Sequence, residues 1–176
     1  MQSASFLEGI RILGEEEFGL LFEMVIDCHR YPDQFPALID LVAQCPSVSF
    51  VLDHMAKPPC HLSSDSSAFS HWASCMQTLA SYPNVVACKV SGLITEVEDN
   101  TSLISAQHLG PFVQVAKDTF GIDRLIFGGD WPVCEATQGG TWQLWVDVLQ
   151  EIVQAWEPEE QTRLFVTNAQ RCYNLV

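Results

Sequence analysis

Positive charge is what this sequence has least of. Eight Lys and Arg stand against 22 Asp and Glu, a formal net charge of -14 at pH 7, and no basic cluster interrupts the acidic background. Nucleic acids are gripped largely through their phosphates by Lys and Arg, so this composition argues against a nucleic-acid ligand. Long apolar runs are missing too: none reaches the roughly 18 residues that a bilayer-spanning helix needs. The opening Met1-Gln2-Ser3-Ala4-Ser5-Phe6 has no basic stretch followed by an apolar core, so it does not read as a signal peptide. No membrane partner is expected, and a cytoplasmic location is.

Clustered cysteines are also absent. The seven, at Cys28, Cys45, Cys60, Cys75, Cys88, Cys134 and Cys172, are odd in number, scattered, and in several cases set inside apolar runs. That is the pattern of reduced, buried thiols in a cytosolic protein. Cys28 and Cys60 each precede a histidine, His29 and His61, but no pair has the close spacing of a structural zinc knuckle.

What is present is enough for a core: 48% of the 176 residues are hydrophobic, and a single domain over 1–176 is expected. Near-helical spacing of Phe6, Ile10, Leu13 and Phe18 predicts a helix over 6–17, with Glu15-Glu16-Glu17 at its solvated end. The apolar run 20–27 predicts a buried strand. A helix from Pro36 ends at Cys45-Pro46, because the residue before proline avoids the helical region. A second strand is expected over 48–54, a Ser-rich surface loop through Ser67, and a helix over 69–81 broken by Tyr82-Pro83-Asn84. A third strand follows over 85–91, a helix over 109–120 capped by Gly121, and a fourth strand over 124–130. Helices over 142–156 and 158–173 close the chain. Four apolar strands alternating with helices imply repeated βα units around a parallel sheet, an α/β fold. A complete (β/α)₈ barrel takes about 250 residues, so this length does not close one by itself.

In such folds the ligand site lies at the carboxyl ends of the strands. The exits carry Asp27, Cys28 and His29, then His54, then Lys89 and Ser91, then Asp130. By strand alternation His54 shares a face with Phe50 and Leu52, and Asp53 points the other way. If the face ending in His54 is the inward one, Asp53 is structural. Lys89 shares a face with Ala87 and Ser91, so its charge must meet a substrate or a carboxylate. Gly128-Gly129-Asp130-Trp131-Pro132 joins backbone freedom, a carboxylate and a rigid turn, which suits Asp130 to be a general base or a metal ligand. Taken singly, a histidine at a strand end and an aspartate in a turn are more often structural than functional. The five tryptophans read as packing residues, with Trp131 able to line a pocket beside Asp130, and His61, His71 and His108 read as solvent-facing.

Three stretches carry a family resemblance: Phe50-Val51-Leu52-Asp53-His54-Met55-Ala56-Lys57-Pro58; Asn84 through Glu96, with Lys89-Val90-Ser91-Gly92 at its centre; and Arg124 through Val133, containing Gly128-Gly129-Asp130-Trp131-Pro132. Together with Asn168-Ala169-Gln170-Arg171-Cys172-Tyr173 they resemble the amidohydrolase-related (amidohydrolase 2) proteins, and among them the lactonases of sugar acids such as fuconolactone and rhamnonolactone and the pyrone dicarboxylate lactonases. The resemblance implies a (β/α)₈ TIM barrel of which strands five to eight are present. It implies that Asp130 takes a proton from the attacking water, and that His54 polarises the lactone carbonyl or helps hold a divalent metal. It also implies that Lys89, Ser91 and Trp131 contact the substrate. That family opens on a strand bearing His-x-His, and no His-x-His occurs in this sequence. A divalent metal such as zinc, bound by His54 and Asp130, therefore stands beside the expectation of no cofactor.

The expected activity is hydrolysis of a small-molecule sugar lactone or related cyclic ester by water attack. Two alternatives stand beside it: a non-catalytic truncated fragment or half-barrel that self-associates through the open edge of its first strand, and a metal-dependent decarboxylase of the same superfamily.

Overall fold

The computed structural model describes residues 3–15, 17–98 and 100–175. Four strands, β1 (Leu21–Met24), β2 (Ser49–Leu52), β3 (Val85–Val90) and β4 (Leu125–Phe127), form one sheet in the order β1-β2-β3-β4. Every pairing is parallel, with Phe22 opposite Phe50, Leu52 opposite Cys88 and Lys89 opposite Ile126. The helices are α1 (Ala4–Leu13), α2 (Gln34–Gln44), α3 (Ser67–Ala80), α4 (Ala106–Phe120) and α5 (Trp142–Val153), then α6 (Pro158–Thr162) and α7 (Asn168–Cys172). Sequential parallel strands joined by helices are the arrangement of a TIM-barrel-like sheet.

Alternation along the strands divides the side chains between two faces. Phe50, Leu52, Cys88, Val90 and Leu125 enter the main core with Trp72, Phe112 and Leu149 from the helices. Val51, Ala87 and Ile126 make a smaller cluster on the other face, touched by Ala169, Cys172 and Tyr173. Phe69, Trp72 and Phe112 meet with ring centroids 4.9–5.6 Å apart and knit α3 to α4. The last helix is pinned to the sheet by a buried amide: Asn168 Nδ2 donates to the carbonyls of Ile122 and Leu125 at 2.7 and 2.8 Å.

The structure corrects several sequence-derived boundaries. The first helix begins at Ala4, where Ser3 Oγ accepts from Phe6 N, and stops at Leu13. Glu15 and Glu17 lie beyond it and are exposed, and Glu16 is outside the described residues. Gly14 caps its end and has no room for a side chain, because a Cβ there would lie 2.6 Å from the Ser47 carbonyl oxygen. Gly14→Ala is expected to lower stability by about 1–3 kcal/mol, since the obstruction is backbone and cannot rotate away. The midpoint of urea unfolding measures it, and an unchanged midpoint would show that the two segments part freely.

The expected buried strand over 20–27 is only four residues long, and Leu20 and Val25 are 52% and 60% exposed. As the edge of the described sheet, β1 has hydrogen-bonded neighbours on one side alone. The closing helix is interrupted at Arg163–Thr167 by a wide π turn. All seven cysteines are free, and Cys28, Cys45, Cys60, Cys88 and Cys134 are buried, as their apolar surroundings predict. Among the described residues no helix is long and apolar enough to cross a membrane.

Candidate active site

The carboxyl end of β2 departs from what strand alternation predicts. After Leu52 the chain leaves the strand, and His54, Met55, Ala56 and Lys57 all have positive φ, from 50° to 59°. Left-handed backbone costs an L-residue roughly 1–2 kcal/mol, and no glycine lightens the cost here. The surroundings impose the conformation. Trp72 Nε1 donates to the Met55 carbonyl at 2.9 Å, Cys28 N to the Ala56 carbonyl at 3.2 Å, and the Cys28 thiol to the Lys57 carbonyl at 3.1 Å.

The turn carries His54 off the face of Phe50 and Leu52, which belongs to the helices, and swings its ring over the strand ends. There His54 Nδ1 lies 2.8 Å from Ser91 Oγ, and Nε2 lies 3.5 Å from Asp130 Oδ1. Gly92, at φ +71°, lets the ring approach, since a Cβ on it would stand 2.9 Å from His54 Cβ. Asp130 is itself left-handed, at φ +53°. Burial pushes its carboxyl above the usual range, with Glu96 and Asp53 adding to the shift, while His54 and Lys57 pull the other way. A half-buried carboxylate of raised pKa beside an imidazole, at the end of a parallel strand, is suited to accept a proton near neutral pH.

Asp53 takes the face of Val51 and Ala87, opposite to the main core, and there it meets the lysine. Lys89 Nζ is 2.8 Å from Asp53 Oδ1 and 2.8 Å from Glu23 Oε2. Burial alone would lower the Lys89 ammonium, but hydrogen bonds to these two carboxylates override it and raise it. Tyr173 completes the group by donating to Glu23 Oε1 at 2.7 Å. The carboxylate that the sequence required for Lys89 is thus two carboxylates, one of them on the neighbouring strand β2's exit and one on β1.

The structure therefore brings His54, Ser91 and Asp130 together and keeps Lys89 with a charge cluster of its own. Ser91 is 1% exposed, while the Trp131 indole is 69% exposed beside Asp130. The packing role read for the tryptophans holds for Trp72 and Trp145, which are buried, but not for Trp131 or Trp142. His71 is solvent-facing as expected; His61 and His108 are not, each being half-buried, and His108 Nε2 sits 2.7 Å from the Cys60 carbonyl oxygen. Gly128 shows the close approach expected of it, because a Cβ there would meet Ser91 Cβ at 2.8 Å.

Sequence reasoning missed Lys57, Glu96 and Arg30. Glu96 is 2% exposed and anchors both cations, with Arg30 Nη1 at 2.8 Å and Lys57 Nζ at 3.6 Å. The first acid of Glu96-Val97-Glu98-Asp99, set directly after Gly92-Leu93-Ile94-Thr95, was the one available signal.

Comparison with known proteins decides the family. A model of the amidohydrolase family Amidohydro_2 matches residues 16–175. The chain belongs to that amidohydrolase family. An L-fucono-1,5-lactonase of Burkholderia ambifaria is 34% identical over 160 residues, covering 89% of this chain and 52% of its own length. An L-rhamnono-gamma-lactonase of Scheffersomyces stipitis is 26% identical, over 89% of this chain and 50% of its own. The crystal structure of an amidohydrolase from Burkholderia multivorans with bound zinc is 27% identical, superposes with a TM-score of 0.83, and is covered to 58% by 99% of this chain. A probable 2-pyrone-4,6-dicarboxylic acid hydrolase from Acinetobacter baumannii, 16% identical, shares the fold at a TM-score of 0.74. The resemblance read from the strand-exit motifs is thus borne out, and this amidohydrolase chain spans about half the length of the curated relatives it matches.

Proposed function

We propose that this amidohydrolase chain carries strands five to eight of a (β/α)₈ barrel whose reaction is the opening of a sugar-acid lactone by water. The observation that carries the reading is the His54–Asp130 pair, 3.5 Å apart at the exits of β2 and β4. Lactonase names among the relatives support the substrate class.

In this reading Asp130 draws a proton from water as its oxygen attacks the lactone carbonyl carbon. His54 steadies the negative charge that develops on the carbonyl oxygen. Ser91 is the positioning residue. Its hydroxyl lies 2.8 Å from Nδ1, and in the tautomer where it donates there the ring proton sits on Nε2, the nitrogen that faces Asp130 and the space a substrate would occupy. The bond between carbonyl carbon and ring oxygen then breaks, and the departing alkoxide takes up the proton held by Asp130 to give the hydroxy acid. Ser91 serves the substrate through His54, Lys89 fixes the charge beneath the site, and the exposed Trp131 indole supplies the apolar wall against the sugar ring.

A metal is a separate matter. His54 Nε2 and Asp130 face each other, but among the described residues they join no third ligand, and a catalytic zinc takes three from the protein. The pair alone does not make a metal site, and no step above passes through one.

The half-length of the chain favours a second reading, a half-barrel that acts only when its inner face is completed by another polypeptide. A panel of aldonolactones, assayed with the purified 176-residue chain by pH-indicator release of acid, separates the two. Turnover at an enzyme-like rate of about 1 per second or more supports catalysis by this chain. Absence of turnover here, with activity in a longer protein that contains it, supports the half-barrel.

A further inference from the structure

Beside the His54 turn lies a second constellation with no part in the chemistry above. His29 follows β1, His61 lies in the loop after β2, and Glu98 lies beyond β3, so three successive strand exits converge. One donor atom from each residue lies within 4.8 Å of the other two. We propose that His29, His61 and Glu98 form a zinc-binding site of their own, independent of the His54–Asp130 pair and of the lactone reading.

The argument begins with His29, whose side chain is 4% exposed. Its Nδ1 faces acceptors only: Glu96 Oε2 at 3.2 Å, the Lys57 carbonyl oxygen at 3.4 Å and Asp27 Oδ1 at 3.7 Å. These acceptors favour the tautomer with its proton on Nδ1, in which Nε2 presents a lone pair. That Nε2 is buried and unpartnered, and so is Nδ1 of His61, whose ring centroid is 5.0 Å away. Two buried nitrogens without partners are costly, at roughly 1–3 kcal/mol each, and one cation between them would satisfy both. Glu98 Oε1, 3.8 Å from His29 Nε2, contributes the charge.

The neighbouring set Asp27–His29–Glu96 is a poorer candidate, although its atoms are as close together. Arg30 Nη1 already neutralises both carboxylates, at 2.9 Å from Asp27 and 2.8 Å from Glu96, and a cation there would confront the guanidinium. Those acids instead orient His29 from behind, the carboxylate–histidine arrangement that fixes a ligand's tautomer. The adjacent cysteines are not ligands. Neither Cys28 nor Cys60 brings its sulfur into the cluster, and the Cys28 thiol is engaged in donating to the Lys57 carbonyl.

Two imidazoles and one carboxylate are the donor set of an open zinc site, with a fourth position left for water, whereas Ca²⁺ and Mg²⁺ prefer oxygen alone. Bonds of about 2.0–2.2 Å place tetrahedral ligands about 3.4 Å apart, so atoms up to 4.8 Å apart must close by up to about 1.4 Å, through movement of the half-exposed Glu98 side chain and of the loop that carries His61.

The test is metal binding by the purified chain, with no assay of turnover. After equilibration with zinc chloride and gel filtration, one zinc per chain is expected, and cobalt(II) should give the visible absorption of a tetrahedral site. His61→Ala and Glu98→Gln should each weaken zinc by more than about tenfold. The double variant His54→Ala/Asp130→Asn should keep it. Several weak sites, or none, would overturn the proposal, as would retention in His61→Ala or loss confined to the His54/Asp130 double variant. If His61→Ala does not fold, imidazole NMR of the unmodified chain decides: zinc-dependent shifts at His29 and His61 support the site, and shifts confined to His54 exclude it.

Discussion

Asp130→Asn is expected to lower lactone hydrolysis by about 10²–10⁴-fold, the span of a lost general base, in whichever form of the protein turns lactones over. The amide keeps the size of the side chain and cannot accept the proton of water, so KM should change far less than kcat. The pH profile gives an independent check. Burial raises the Asp130 carboxyl, so the acidic limb of kcat/KM should lie above the ordinary carboxylate range, with activity lost as pH falls through that raised value. The stability sign is opposite. A group whose folded pKa is raised binds its proton more readily in the native state, so its ionisation weakens the fold at neutral pH and protonation restores stability as pH falls. Asp130→Asn should therefore cost no stability at pH 7. A variant that keeps wild-type kcat, or a profile without the displaced limb, would remove Asp130 from the role of base.

The largest stability effect should come from Trp72. Its indole is 1% exposed, packs on Phe69 and Phe112, and donates to the Met55 carbonyl inside the left-handed turn. Trp72→Ala is expected to cost about 3–5 kcal/mol in denaturant unfolding. Trp72→Phe keeps most of the volume but leaves a buried carbonyl unpaired, for about 1–3 kcal/mol. Because that carbonyl belongs to the residue after His54, Trp72→Phe should also lower kcat more than its stability loss explains. An equal cost for both substitutions would assign the effect to the hydrogen bond, and a neutral Trp72→Phe would show that the turn stands without it.

Much of the fold is legible in local pattern. The apolar runs around Phe50 and Val90 are strands, the spacing of Leu109, Phe112, Val113 and Ala116 is a helix, and Asp130 stands where a parallel sheet puts its chemistry. Lys89 announced its need for a carboxylate, because no apolar strand carries an ammonium unpaired. Its partners were not legible, since Glu23 and Asp53 reach it through sheet register across 66 and 36 positions of sequence, and nothing local encodes register. The path of His54 was hidden for a different reason. A left-handed run normally advertises itself with glycine, and Asp53-His54-Met55-Ala56-Lys57 contains none. The conformation is dictated by Trp72 and Cys28, both remote, so alternation gave His54 the wrong face. The cluster of Arg30, Lys57 and Glu96 was invisible likewise, each charge being unremarkable in its own segment.

The glycine-free turn also sets two demands on the same residues against each other. Local sterics ask for glycine at Met55 and Ala56, and a substitution that granted it would remove strain from the folded chain. It would at the same time give back the freedom that keeps one imidazole trained on one carboxylate. Robustness and aim are thus opposed at these positions, and sequence drift toward the more comfortable residue would blunt the pair before it weakened the fold.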